Sequence, residues 1–249
     1  LSNGLMFANE TFSGKPLTET YATMRARYEP LYEVTQIKGD GEAHPFLSPN
    51  DEFADYETWD ADNIAMTAKQ ENWMLQHEYA RGALKLGLKF EETLGANPFK
   101  FGMIGSTDSH TSLATAAEDN FFGKFPESEP TPERVANGMA GYMWENWRIG
   151  ASGYAGVWAR ENTREALFDA MRRREVYATT GSRITVRFFG GWDYQDSDLE
   201  KPDYVATAYD RGVPMGGDLS AAKPGQAPIF IVAAAKDADG ANLDRVQII

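Results

Sequence analysis

The sequence predicts an α/β fold that gives way to an antiparallel β unit, on three observations. Phe101-Gly102-Met103-Ile104 is a short apolar run, entered from Asn97-Pro98 and left through Gly105, which is the pattern of a buried strand. Residues 152–180 read as strand, capped helix and strand. After Gly181 the pattern turns to alternation between Gly-rich turns, with no helical periodicity. Two parts are therefore expected, 1–182 and 183–249.

Residues 1–30 are loop-rich, with Gly4, Gly14 and Pro16, around one helix from Thr18 to Tyr28. Thr18 is its N-cap and Pro30 stops it. Leu31–Ile37 alternates as a strand. Its Glu33, Thr35 and Gln36 are foreign to a strand buried on both faces. They face either a site or, on a half-exposed edge strand, water. The polar loop Lys38–Pro45 leaves the same strand end and offers Lys38, Asp40, Glu42 and His44. Residues 46–67 form a long acidic surface loop with Phe53, Tyr56 and Trp59, of a length typical of lids and binding loops.

Ala68–Leu94 is the strongest helical stretch. One stripe is Trp73, His77, Ala80, Leu84 and Leu88, a second Tyr79, Ala83, Leu86, Phe90 and Leu94, and Gly95 is the C-cap. The pattern accounts for His77 as a packed histidine without any chemistry. Residues 123–150, punctuated by Gly and Pro, are expected to cover the site. Ser152–Trp158 reads as a strand. A capping box at Asn162–Glu165 opens a helix to Arg174, and Val176–Thr180 is the next strand. This strand–helix–strand unit supports a barrel-like or layered α/β fold. Beyond Gly181 the expected strands are Ile184–Phe189, Ile229–Ala235 and Arg245–Ile249, the last two joined by an Asp-rich hairpin loop at 237–242.

Composition narrows the function. The net charge is −13 and no basic stripe exists to displace counterions, so nucleic acid is not an expected partner. Arg172-Arg173-Arg174 suits the negative end of a helix dipole. No apolar run is long enough to span a membrane. The absence of cysteine excludes disulfides, thiolate ligands and a cysteine nucleophile. The histidines are His44, His77 and His110. Leu1-Ser2-Asn3-Gly4 shows no signal peptide, and the chain stops inside an apparent strand, so an internal piece of a longer polypeptide is expected.

Asp108-Ser109-His110 carries the most chemistry. It lies just past the end of the 101–104 strand, where loops of α/β folds gather into active sites. A carboxylate oxygen and an imidazole nitrogen from one loop can share a divalent ion. The plainer reading is a hydrogen bond within the loop.

Gly105-Ser106-Thr107-Asp108-Ser109-His110-Thr111 resembles the last metal motif of the polymerase-and-histidinol-phosphatase (PHP) superfamily, and Ala178–Ile184 its final barrel strand. Tyr32–Glu42 with His44-Pro45 resembles a branch of it catalogued as domain of unknown function 3604. The resemblance covers nearly the whole chain. It implies the C-terminal part of a distorted (β/α)7 barrel followed by the antiparallel unit. It implies a site of two or three Zn, Mn or Fe ions that hydrolyses phosphoesters. Asp108 and His110 match the terminal ligand pair, and Glu33 falls where related proteins carry an acidic residue at a strand end. His44 is a substrate-side candidate, and Lys38 or Arg183 would steady developing negative charge. The superfamily's opening His-x-His is not present, so this piece alone is expected to hold metal weakly and turn over little. The expected partners are a small anionic substrate and either a second copy or the missing N-terminal part. The alternative function is a non-catalytic carbohydrate- or protein-binding module using Trp59, Trp144, Trp147, Trp158 and Trp192.

Overall fold

The computed structural model of the chain describes residues 2–60, 62–63, 65, 67–110, 132 and 153–249. Its first helix, α1 (Glu19–Tyr28), starts where Thr18 accepts a hydrogen bond from Tyr21 N. Glu29 and Pro30 end it and lead into β1 (Leu31–Gln36). A tight turn at Ile37-Lys38 reverses the chain into β2 (Gly39–Asp40), antiparallel to β1. A short helix α2 (Asn72–Leu75) and the long α3 (Ala80–Leu94) follow. Then β3 (Gly102–Gly105) pairs in parallel with the other side of β1.

β1 is thus the central strand of the order β2-β1-β3 rather than an edge. Thr35 is buried on it, while Glu33, in register with Ile104, is exposed. A register shift between Glu33 and Thr35 bends the strand there, a feature that re-aims side chains next to sites.

Phe7, Ala83 and Phe99 are buried together, with Tyr32, Leu86, Phe90 and Phe101 against them. The aromatic rings of Phe7, Tyr32, Phe99 and Phe101 meet at centroid distances of 5.0–5.5 Å, in the range of favourable ring contacts. This cluster pins α3 under β1 and β3.

Two expectations about this half are corrected. The 68–94 stretch is not one helix, since it breaks at Gln76–Tyr79. There Tyr79 takes an extended N-cap conformation, and its buried ring anchors the break. In the first stripe His77 and Ala80 are buried while Trp73, Leu84 and Leu88 are exposed, and the second, through Tyr79 and Ala83, is the core face. His77 lies in the break. Its Nδ1 donates to Phe7 O at 3.0 Å, so it is a packed residue satisfied by backbone.

β4 (Tyr154–Val157), α4 (Arg164–Arg172) and β5 (Val176–Thr179) follow in order. Thr163, not Asn162, caps α4, accepting from Ala166 N at 3.3 Å. The unit is not a parallel crossover: β4 and β5 pair antiparallel. It lies against β3 through Gly105, where an added Cβ would come within 2.7–2.8 Å of Tyr154 O, Thr179 O and Tyr154 N. No closed barrel is formed among the described residues.

Beyond Gly181, β6 (Thr185–Gly191) is flanked antiparallel by β7 (Gly212–Pro214) and β8 (Ile229–Ala235). Between β6 and β7 lies a helix the sequence pattern did not announce, α5 (Tyr204–Arg211). It packs Ala208 against Phe189, Tyr194 and Ile231. Residues 241–249 form no strand, against expectation. Asp237 in the preceding turn accepts from Asp239 N at 3.1 Å and, across the sheet, from Arg183 N at 2.6 Å. Trp158 Nε1 donates to Val186 O at 2.8 Å and Arg174 Nε to Gly216 O at 3.0 Å, which tie the β unit to the first part.

Candidate functional site

The parallel pairing of β1 with β3 brings the loops after both strands together. Ser106 N donates to Thr35 O at 3.0 Å, carrying the sheet one residue beyond Gly105. The loop then organises itself. Asp108 N donates to Ser106 Oγ and Ser109 N to Thr107 Oγ1, both at 3.3 Å, the local side-chain turns that Ser and Thr favour. Asp108 takes the left-handed conformation (φ 49°), which aspartate tolerates better than most residues.

This geometry brings His110 and Lys38 into contact with Asp108. His110 Nε2 lies 3.2 Å from Asp108 Oδ1. Lys38, only 5% exposed, ion-pairs with Asp108 Oδ2. Glu33 accepts from Ser106 Oγ, the hydroxyl that also receives Asp108 N. Lys38, Glu33, Asp108 and His110 are therefore one constellation. Ser106 is the link that sequence reading missed, although it stands inside the motif quoted for the loop.

Two candidates fall elsewhere. His44 is buried beside Tyr79, its Nε2 3.0 Å from Asp60 Oδ2. Phe46 N–H, which can only donate, points at its Nδ1 at 3.1 Å, so the ring proton sits on Nε2 and faces Asp60. Arg183 places its guanidinium 5.9 Å from the centre of the Tyr154 ring, alongside the strand that flanks Gly105. Trp144, Trp147 and the 123–150 cover lie outside the described residues, apart from Pro132.

The donor chemistry fits a borderline divalent ion in part. Asp108 Oδ1 and His110 Nε2, 3.2 Å apart on one loop, are an oxygen and a nitrogen donor of the kind such an ion would take. Lys38 holds the carboxylate oxygen that His110 does not face, the place of an outer partner that orients a ligand. No group of three or more Asp, Glu or His side chains able to hold one ion occurs among the described residues.

Beside the constellation opens a cleft of about 300 Å3, to which Glu33 and Lys38 both contribute walls. Tyr32, Gln36, Asp40, Trp59, Glu78 and Tyr79 are among its other lining residues. Burial lifts the Asp40 carboxyl from 3.8 to about 6, against the pull of the Glu42 N–H, which donates to it at 2.8 Å. Burial, and then the carboxylates Asp40, Glu78 and Glu33, push the Tyr32 phenol upward, so it remains a hydroxyl.

A family model described as a protein of unknown function (DUF3604) matches residues 1–249. The chain belongs to that family. No curated protein and no solved structure matches it. Among the described residues no helix is long and apolar enough to cross a membrane.

Proposed function

We propose that this DUF3604 chain contributes to a metal-dependent hydrolase centre of the PHP type, acting on phosphoesters. Asp108 and His110 hold one divalent ion, Zn, Mn or Fe, of the two or three that the resemblance implies. The observation that supports this best is the 3.2 Å approach of His110 Nε2 to Asp108 Oδ1 on the loop after β3. A hydrogen bond alone would satisfy that pair. The further convergence of Lys38 and Glu33 on the same loop favours a built site over a chance contact.

When bound, the ion supplies an acidified water as nucleophile. The chain's own residues prepare the place. Lys38 holds Asp108 Oδ2, which fixes the carboxylate and leaves Oδ1 beside His110. Glu33 steadies the loop through the Ser106 hydroxyl and is the nearest further carboxylate. Two protein ligands fall short of the roughly three that catalytic sites use, so the third comes from Glu33 or from a residue outside those described. Because the Lys38 charge is directed at Asp108, exposed Arg183 is the better candidate for an anionic substrate group.

The test is the metal content of the purified full-length protein beside its Asp108→Ala and His110→Ala variants, with turnover of p-nitrophenyl phosphate and bis(p-nitrophenyl) phosphate. Both variants should lose bound metal and turnover together. Metal occupancy unchanged in Asp108→Ala removes this residue as a ligand and the proposal with it.

A further inference from the structure

The cleft beside Lys38 has features the metal reading does not use. Its construction starts with two glycines flanking Asp40. Gly39 has φ 113°, and a Cβ on it would collide with Glu57 O, so only glycine lets residues 57–59 close here. The closure is held by Asp40 N donating to Glu57 O at 2.8 Å, and it sets Trp59 on the cleft wall. At Gly41 a Cβ would come within 2.7 Å of Tyr32 Oη, so this glycine lets the Tyr32 ring approach the loop. The result is a cleft lined by the aromatic rings of Tyr32, Trp59 and Tyr79 together with the polar groups of Glu33, Gln36 and Asp40.

The polar groups select the ligand. Gln36 Oε1 accepts from Lys38 N at 2.6 Å, which turns its NH2 toward other partners. Glu33 and Asp40 are acceptors that would repel an anion. The Lys38 ammonium in the same wall is directed at Asp108 and offsets only part of the negative charge of Glu33, Asp40 and Glu78. What suits carboxylates, an amide and aromatic faces together is a neutral ring with many hydroxyls. The hydroxyls donate to the carboxylates, and the C–H face lies on the indole. A volume of about 300 Å3 is at the small end of ligand pockets, the size of one or two such rings.

We infer that this cleft binds a small polyhydroxylated ring of the monosaccharide or inositol class, with Trp59 as its stacking wall and Asp40, Glu33 and Gln36 as its hydroxyl partners. The inference does not use the Asp108–His110 pair, although Glu33, the nearest further carboxylate to that pair, also lines the cleft.

The test is saturation-transfer NMR and tryptophan fluorescence on the whole chain, before and after chelator treatment. The probes are glucose, galactose, N-acetylglucosamine and myo-inositol, with choline and inorganic phosphate as controls. At least one ring compound should bind with a Kd under about 10 mM, unaffected by the chelator. Trp59→Ala should weaken it roughly tenfold, the loss of one ring contact. Asp40→Asn, which keeps the shape and removes the charge, should weaken it at least about fivefold and serves alone if Trp59→Ala does not fold. The inference is overturned if no ring compound binds, if choline or phosphate binds in its place, or if both folded variants bind like the parent. Binding that vanishes with the chelator assigns the ligand to the metal centre and overturns it equally. Persistent binding, with no metal held by the full-length protein, would sink the hydrolase reading and leave this one standing.

Discussion

Asp40→Asn should stabilise the protein at neutral pH, and the size of the gain follows from the carboxyl's surroundings. Burial raises the Asp40 carboxyl from 3.8 to about 6. Below pH 3.8 the group is protonated in folded and unfolded chains alike and contributes nothing. Between 3.8 and about 6 the folded chain holds the proton more tightly, so stability falls as pH rises. Above about 6 the penalty is fully developed, with a ceiling of about 3 kcal/mol at 1.36 kcal/mol for each pKa unit. Asparagine is neutral at every pH and keeps an oxygen for the Glu42 N–H that Asp40 now accepts at 2.8 Å. The assay is urea unfolding of both proteins at intervals from pH 4 to 7.5. The variant's advantage should be smallest at pH 4, grow through pH 6 and level off near 2–3 kcal/mol. A difference that does not change with pH, or a variant less stable at pH 7.5, refutes the reasoning.

Other perturbations probe the rest of the structure. Lys38→Met strands the Asp108 carboxylate without its buried partner and should destabilise by about 3 kcal/mol, with Lys38→Met/Asp108→Asn recovering part of it in a double-mutant cycle read by denaturant unfolding. Gly105→Ala drives a methyl group against Tyr154 O and Thr179 O and should lower Tm by roughly 5–10 °C in a calorimetric scan. Asp198 is held below the usual carboxylate range by a hydrogen bond from Lys201, then by the Gln195 N–H, with Arg211 beside it. Its stabilisation is therefore present above its ordinary value of 3.8 and lost as pH falls through the lower folded value. Asp198→Asn should be less stable than the parent at pH 7, with the gap narrowing below pH 4 in acid-unfolding curves.

Much of the local structure was written in local patterns. Thr18 starts a helix because its side-chain oxygen can meet an orphan backbone N–H within a few residues, Thr163 does the same one residue beyond the cap expected at Asn162, and Gly95 ends a helix by taking φ 80°. The strands at 31–36, 102–105, 176–179, 185–191 and 229–235 follow from short apolar or alternating runs between turn residues. Helix α5 was missed because its Tyr204–Arg211 run spans barely two turns, too few for a 3.6-residue period to stand out, and it is stabilised by packing Ala208 against Phe189 and Ile231. The break at Gln76–Tyr79 was missed for the converse reason: helical spacing continues through it, while burial of Tyr79 dictates the backbone.

What the sequence by itself determined is the identity of the chemical groups and the loop that carries Asp108 and His110, since i to i+2 turns and strand ends are local. What only tertiary structure decided is company. Lys38 and Asp108 are seventy residues apart, and parallel pairing of β1 with β3 makes them partners. The same pairing brings Ser106 to Glu33, while packing against Tyr79 and Asp60 draws His44 to other partners. Pairings between distant strands depend on register and on the core beneath them, and neither is encoded in any window of neighbouring residues.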